Sequence, residues 1–280
     1  LAIKKPKTEH IPMIEFKKLT TIFARKRSQD LIKYVEEGIS KEELLKKHGG
    51  TLALNRVNLR IPENEITVIM GLSGSGKSTL ARHVNLLIHP TAGEILFDGQ
   101  NILDFDKKQI LHLRRYDVSM VFQRFALLPH KHVLDNVCLG LTAQGIHKKE
   151  AHERAKYWID FVGLKGYEKF PPAQLSGGMQ QRVGLARALA TEAKVLIMDE
   201  AFSALDPIIR SEMQSQLLEI QQKLKRTVIF ITHDLSEAVR LGSQVAILKD
   251  GEIIQVGSPQ EIIEKPTNEF VASFVKDVAL

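Results

Sequence analysis

The 280-residue chain has a single cysteine, Cys138, so no disulfide can form within it, and this composition suits a reducing compartment. It lacks any run of about 18 apolar residues. No apolar core follows its basic start of the kind that directs export, so neither a membrane span nor a signal peptide is expected. Internal repeats and low-complexity stretches are also missing. Excess charge of one sign is confined to the start: residues 1–50 hold 12 Lys plus Arg against 7 Asp plus Glu, which leaves about +1 of the net +6 for the rest. A basic segment without a folded reader motif is a weak argument for nucleic acid, and a solvated surface is expected there. With 44% apolar and 26% charged residues the chain is too hydrophobic for disorder, and its length allows one large domain or two modest ones.

What is present alternates strand and helix signals, which predicts an α/β core. Residues 11–23 alternate as a strand that buries Ile14, Phe16 and Leu19. Residues 28–48 turn helical, with Leu31, Ile32 and Val35 at helical spacing. A capping box at Ser40-Lys41-Glu42-Glu43 opens a second helix carrying Leu44 and Leu45, and Gly49-Gly50 ends it. Strands follow at 51–61 and 65–70, a helix at 79–88, and strands at 93–97 and 118–122. The stretch 124–170 reads as mostly helical. Residues 195–198 and 228–231 are continuous apolar runs, the mark of strands buried on both faces. Asp206 can cap a helix whose first residue is Pro207, 245–248 and 252–256 flank a hairpin turn, and 259–275 reads as helix.

The strongest chemical signal is Gly71-Leu72-Ser73-Gly74-Ser75-Gly76-Lys77-Ser78, followed by Thr79, placed between an apolar strand and a helix. That is the context of a phosphate-binding loop: glycines let backbone N–H groups curl round a phosphate, Lys77 supplies positive charge, and Ser78 offers its hydroxyl to Mg²⁺. Far downstream, the run 195–198 ends in Asp199-Glu200. A carboxylate at such a strand end can hold Mg²⁺, and its neighbour can orient or deprotonate an attacking water. A second anion-gripping start lies at Leu175-Ser176-Gly177-Gly178-Met179-Gln180, leading into a helix over 181–190.

These six residues resemble the signature of ATP-binding-cassette ATPases. The resemblance implies a RecA-like parallel-sheet core, an antiparallel β subdomain and an α-helical subdomain at about 124–180, all within one cassette spanning 1–280. It implies ATP and Mg²⁺ as ligands. It also implies a head-to-tail dimer, in which the signature of one copy caps the phosphate held by the other's loop. Gln123 resembles the glutamine that contacts Mg²⁺ and the attacking water, and His233 the switch histidine that contacts the γ-phosphate. Ser203-Ala204-Leu205-Asp206 resembles the loop through which the subunits sense each other. Asp199 is then the Mg²⁺ ligand and Glu200 the general base. An aromatic ring usually lies under adenine at the end of the first strand; Phe23 is the candidate, although aromatics near strand ends also pack inward.

About 27 residues, 24–50, separate the first two strands, and the phrase running from Tyr34 to Leu45 resembles the insertion of glycine betaine and proline betaine importer ATPases. That subfamily handles quaternary amines such as betaines, carnitine or choline. Many members carry paired regulatory domains after the cassette, and none is expected within these 280 residues. The resemblance implies a transmembrane permease docking near Phe125, Leu127 and Leu128, an extracytoplasmic binding protein acting through it, no nucleic acid, and a peripheral place on the cytoplasmic face of the membrane. An importer ATPase for another small solute, such as an amino acid, and a cassette acting on nucleic acid or ribosomes are the alternative readings.

Overall fold

The structure, a computed structural model, describes residues 12–25, 28–123 and 125–276. Ile11, where the sequence pattern places the start of the first strand, lies outside them, as do the basic start before it, Lys26, Arg27, Arg124 and residues 277–280.

Ten strands are present among the described residues: β1 (Ile14–Ala24), β2 (Gly50–Ile61), β3 (Ile66–Met70), β4 (Ala92–Phe97), β5 (Gln100–Asn101), β6 (Val118–Val121), β7 (Val195–Asp199), β8 (Thr227–Thr232), β9 (Gln244–Lys249) and β10 (Glu252–Gly257). They form an antiparallel sheet in the order β2-β1-β4-β5 and a second sheet in the order β10-β9-β3-β8-β7-β6. In the second sheet β9, β3, β8, β7 and β6 run parallel, and β10 closes one edge antiparallel. The turn into β10 has two residues, Asp250 and Gly251, at φ 49° and 78°. Both are positive, as a primed turn between twisted strands requires.

The helices are α1 (Ile32–Glu36), α2 (Lys41–His48), α3 (Lys77–Val84), α4 (Lys107–His112), α5 (Val133–Ala143), α6 (Lys148–Phe161), α7 (Gly177–Ala190), α8 (Pro207–Leu224), α9 (Leu235–Leu241), α10 (Pro259–Glu264) and α11 (Glu269–Lys276). The parallel sheet lies between two cores. Val195, Ile197, Ile229 and Ile231 join the antiparallel sheet and Leu80, Ala81 and Val84 of α3. Leu196, Met198, Val228 and Phe230 join residues of α5, α6, α7, α8 and α9. Successive strand side chains point to opposite faces, so both faces being covered explains the unbroken apolar runs. Ile14, Phe16 and Leu19 are buried as the alternation predicts.

Four local expectations differ from the structure, each for a physical reason. The helix after the phosphate loop stops at Val84, because Leu86 takes φ 53° and Arg114 donates to the carbonyls of Asn85 (2.9 Å) and Leu86 (2.7 Å). Residues 125–132 are not helical: Phe125 and Ala126 sit at φ 50° and 49°. The helix expected from Gln181 begins four residues earlier, because Ser176 Oγ accepts from Met179 N at 3.3 Å and caps it. The tail is two helices with a break at 265–268, around Pro266.

The insertion builds its own small core from Val35 and Leu44 against Ile22 and Leu52. Leu45, expected beside Leu44, is 53% exposed. Ser40 Oγ accepts from Glu43 N at 3.2 Å and caps α2, while Glu43 Oε1 takes Lys47 Nζ at 2.8 Å.

Candidate active site

The phosphate loop joins β3 to α3, and two of its glycines have no substitute. Gly76 is the N-cap of α3 at φ 106°, and a Cβ there would lie 2.7 Å from the Ala53 carbonyl oxygen. Gly71, at φ 155°, lies so close to the Leu248 carbonyl that a side chain would collide with it. Lys77, the first residue of α3, is buried, and its Nζ donates to the carbonyls of Gly71 (2.8 Å) and Leu72 (2.9 Å). Burial lowers its pKa, opposed by the charges of Glu200 and Asp199. Leu72 is 56% exposed at the loop tip, whereas Ser75 Oγ is buried without a hydrogen-bond partner.

The parallel register brings the end of β7 to this loop. Ser78 Oγ donates to Asp199 Oδ1 at 2.8 Å, and Arg82 Nη2 stands 3.6 Å from Oδ2. Asp199 is fully buried; burial raises its pKa, against the Ser78 hydrogen bond and the Arg82 charge. Its Oδ2 has no hydrogen-bond partner, and the oxygens of Ser78 and Asp199 are the hard donors a Mg²⁺ ion takes, so the residues fit that ion.

Glu200 has φ 49°, a strained conformation for a residue with a side chain. Its Oε2 accepts from Gln123 Nε2 at 2.7 Å, and its Oε1 lies 3.8 Å from His233 Nδ1, an ion pair only when the imidazole is protonated. Gln123 follows β6 and His233 follows β8, so three neighbouring strands deliver the trio. Behind His233, the buried carboxylate of Glu237 accepts from Thr232 Oγ1 at 2.6 Å and Gln214 Nε2 at 3.1 Å. Burial raises the Glu237 pKa, which the Thr232 hydrogen bond opposes.

Leu175 to Gln180 form the capped start of α7. Gln180 turns its amide back on the carbonyls of Pro172 and Leu175, both at 3.1 Å. Gly178 faces the loop 203–206: a Cβ there would stand 3.3 Å from Leu205 Cδ2 and 3.4 Å from the Ala204 oxygen. Ser203 Oγ donates to the Glu200 carbonyl at 2.9 Å, Leu205 is buried, and Asp206 caps α8 by accepting from Ile209 N at 3.1 Å. Among the described residues no hydrogen bond or ion pair joins 175–180 to 71–78.

Phe23 is 45% exposed at the end of β1, opposite Thr51, so it does not pack inward. Leu127 rests against the main core, and both backbone groups of Leu128 are held by the Asn136 amide, at 2.8 and 3.1 Å. Sequence reasoning missed Gln181, Arg187 and Glu237. The available signal was polar side chains placed on the core-facing sides of α7 and α9, where only a satisfied group is tolerated.

The family model described as ABC transporter matches residues 54–203. A glycine betaine transport ATP-binding protein of Bacillus subtilis, OpuAA, is 49% identical over 267 residues, 95% of this chain and 64% of its own length. The glycine betaine/carnitine transport ATP-binding protein GbuA of Listeria monocytogenes is 51% identical over 265 residues, 95% of this chain and 66% of its own. This chain thus spans just under two thirds of the length of these two relatives. The dimeric structure of the bacterial ABC transporter cassette MJ0796 superposes with a TM-score of 0.76 at 32% identity, covering 88% of this chain and 99% of that one.

Proposed function

Because the chain belongs to the ABC transporter family as an ATP-binding cassette, we propose that it is the ATP-hydrolysing motor of an importer for a quaternary-amine osmoprotectant such as glycine betaine, proline betaine, carnitine or choline. The observation that carries the hydrolytic reading is the meeting of Lys77, Ser78, Asp199, Glu200 and Gln123 at the ends of β3, β7 and β6 in one parallel sheet. The likeness to glycine betaine ATP-binding proteins supports the solute class.

The loop 71–79 wraps the phosphates with backbone N–H groups, and the positive end of α3 faces them. Lys77 exchanges its two carbonyl partners for phosphate oxygens. Ser78 and Asp199, with Gln123, would hold Mg²⁺, whose charge offsets that of the phosphates when it is bound. Glu200 takes the proton of the attacking water, Gln123 orients that water, and His233 faces the γ-phosphate. Phe23 offers an exposed ring to adenine. Among the described residues no hydrogen bond or ion pair joins the signature to the loop of one chain, and the likeness to a dimeric cassette structure supports a second copy arranged head to tail, with 175–180 capping the partner's phosphate and 203–206 at the shared interface. Phe125, Leu127 and Leu128 are the residues this reading assigns to permease docking, with an extracytoplasmic binding protein acting through that permease. No helix among the described residues is long and apolar enough to cross a membrane, in keeping with a peripheral subunit on the cytoplasmic face.

The test is hydrolysis of Mg-ATP by the purified protein, with affinity capture from its native membranes. Mg²⁺-dependent turnover and a co-purifying permease with a quaternary-amine binding protein are expected. Absence of nucleotide binding, or hydrolysis stimulated by RNA or DNA with no permease captured, would overturn the reading.

A further inference from the structure

Gln181 lies in α7 just after the signature, and it is 2% exposed. Its Nε2 donates to the Glu200 carbonyl at 3.1 Å, and its Oε1 accepts from Ala204 N at 3.2 Å. A flipped amide would set donor against donor and acceptor against acceptor, so this orientation is determined. One side chain thus ties the first residue of the loop that follows β7 to Ala204, four residues on. The Glu200 carbonyl also receives Ser203 Oγ at 2.9 Å and Ser203 N at 3.2 Å. These donors hold Glu200 in its left-handed conformation, and that twist is what turns its carboxylate toward Gln123 and His233.

We propose that Gln181 is a positioning residue for ATP hydrolysis, coupling the signature helix of a chain to the backbone of its own Glu200 and to the Ser203–Asp206 loop. The inference rests on the ATPase reading above. A displacement of α7, on whose capped end the signature lies, is passed through one buried amide to both the base and the communication loop. Neither is reached by any other side chain of α7 in a recorded hydrogen bond among the described residues. Both groups of the amide are taken up by backbone of the same chain, so its effect falls on turnover rather than on nucleotide affinity.

Two variants test this on the whole protein, with kcat, KM for Mg-ATP and nucleotide Kd measured from about pH 6 to pH 8 as ratios to the parent. Gln181→Met keeps the volume and removes both hydrogen bonds; kcat should fall about tenfold or more, with KM and Kd within about twofold. Gln181→Glu is the sharper probe. Ionised, it opposes the Glu200 carbonyl; protonated, it reproduces the donor and acceptor of the amide, and burial favours protonation. Its kcat ratio should therefore recover toward the parent as pH falls, while that of Gln181→Met stays flat. Should Gln181→Met fail to fold, the pH profile of Gln181→Glu decides alone. A kcat near the parent's for either variant throughout the range, a Kd that weakens in step with kcat, or a Gln181→Glu ratio independent of pH would overturn the proposal. If the parent itself does not hydrolyse ATP, the ATPase reading fails and takes this inference with it. If the parent does and Glu200→Gln does not, normal Gln181 variants sink this inference alone.

Discussion

Gln123 Nε2 donates to Glu200 Oε2 at 2.7 Å, so two residues 77 apart in sequence meet through one short bond. The base of the proposed reaction is thus bonded to the residue that would orient its water. Replacing the carboxylate by Gln123's own functional group, in Glu200→Gln, should keep ATP binding and lower turnover by about 10²- to 10⁴-fold, the usual worth of a general base. Parallel nucleotide-binding and phosphate-release assays check it; near-parental release would remove Glu200 from that role.

Lys77 is the next case. Its ammonium is buried and donates to the Gly71 and Leu72 carbonyls, a pair of bonds that phosphate oxygens can replace. Lys77→Ala should weaken ATP affinity itself by at least about tenfold, since charge-assisted bonds are each worth about 1.5–3 kcal/mol. Titration with a fluorescent ATP analogue measures this, and an unchanged Kd would contradict the phosphate-loop assignment.

Arg187 holds the segment after Gln123. Its Nη1 donates to the Ala126 carbonyl at 2.7 Å and its Nη2 to that of Phe125 at 2.9 Å, the two consecutive residues at positive φ. A single buried guanidinium thus stabilises a double left-handed kink that the local sequence disfavours. Arg187→Met should cost about 2–4 kcal/mol of stability, with Arg187→Lys intermediate because an ammonium cannot span both carbonyls equally well. Denaturant unfolding of the three proteins gives the comparison.

His83 sets an acid limit on stability. It is fully buried in α3, with Nδ1 2.6 Å from the Thr79 carbonyl and Nε2 2.9 Å from Thr21 Oγ1. The carbonyl can only accept, so Nδ1 carries the proton and Nε2 accepts from the threonine hydroxyl. Burial lowers the His83 pKa from 6.5 to about 4. The unfolded chain therefore binds more protons between those values. The contribution is fully present above the unfolded pKa and is lost as pH falls toward the folded one, by up to about 3 kcal/mol. Unfolding free energies measured from pH 7.5 to 4.5 should fall more steeply for the parent than for His83→Gln; equal slopes would refute it.

The phosphate loop, the Asp199-Glu200 strand end, the signature and the buried strands at 195–198 and 228–231 are legible in the residues alone. Each is written within about ten consecutive residues, as glycine spacing, side-chain alternation or a helix cap, and such signals act on their own neighbourhood. No local pattern discloses that Phe125 and Ala126 leave the helical region, that Gln181 links Glu200 to Ala204, or that Arg187 braces the segment after Gln123. Whether Phe23 packs inward is equally open at that level. These outcomes are settled by long-range packing. A left-handed φ on a residue with a side chain opposes its local preference, and persists only where distant donors hold its carbonyl. A buried amide is tolerated only where the sheet brings it a donor and an acceptor from elsewhere in the chain.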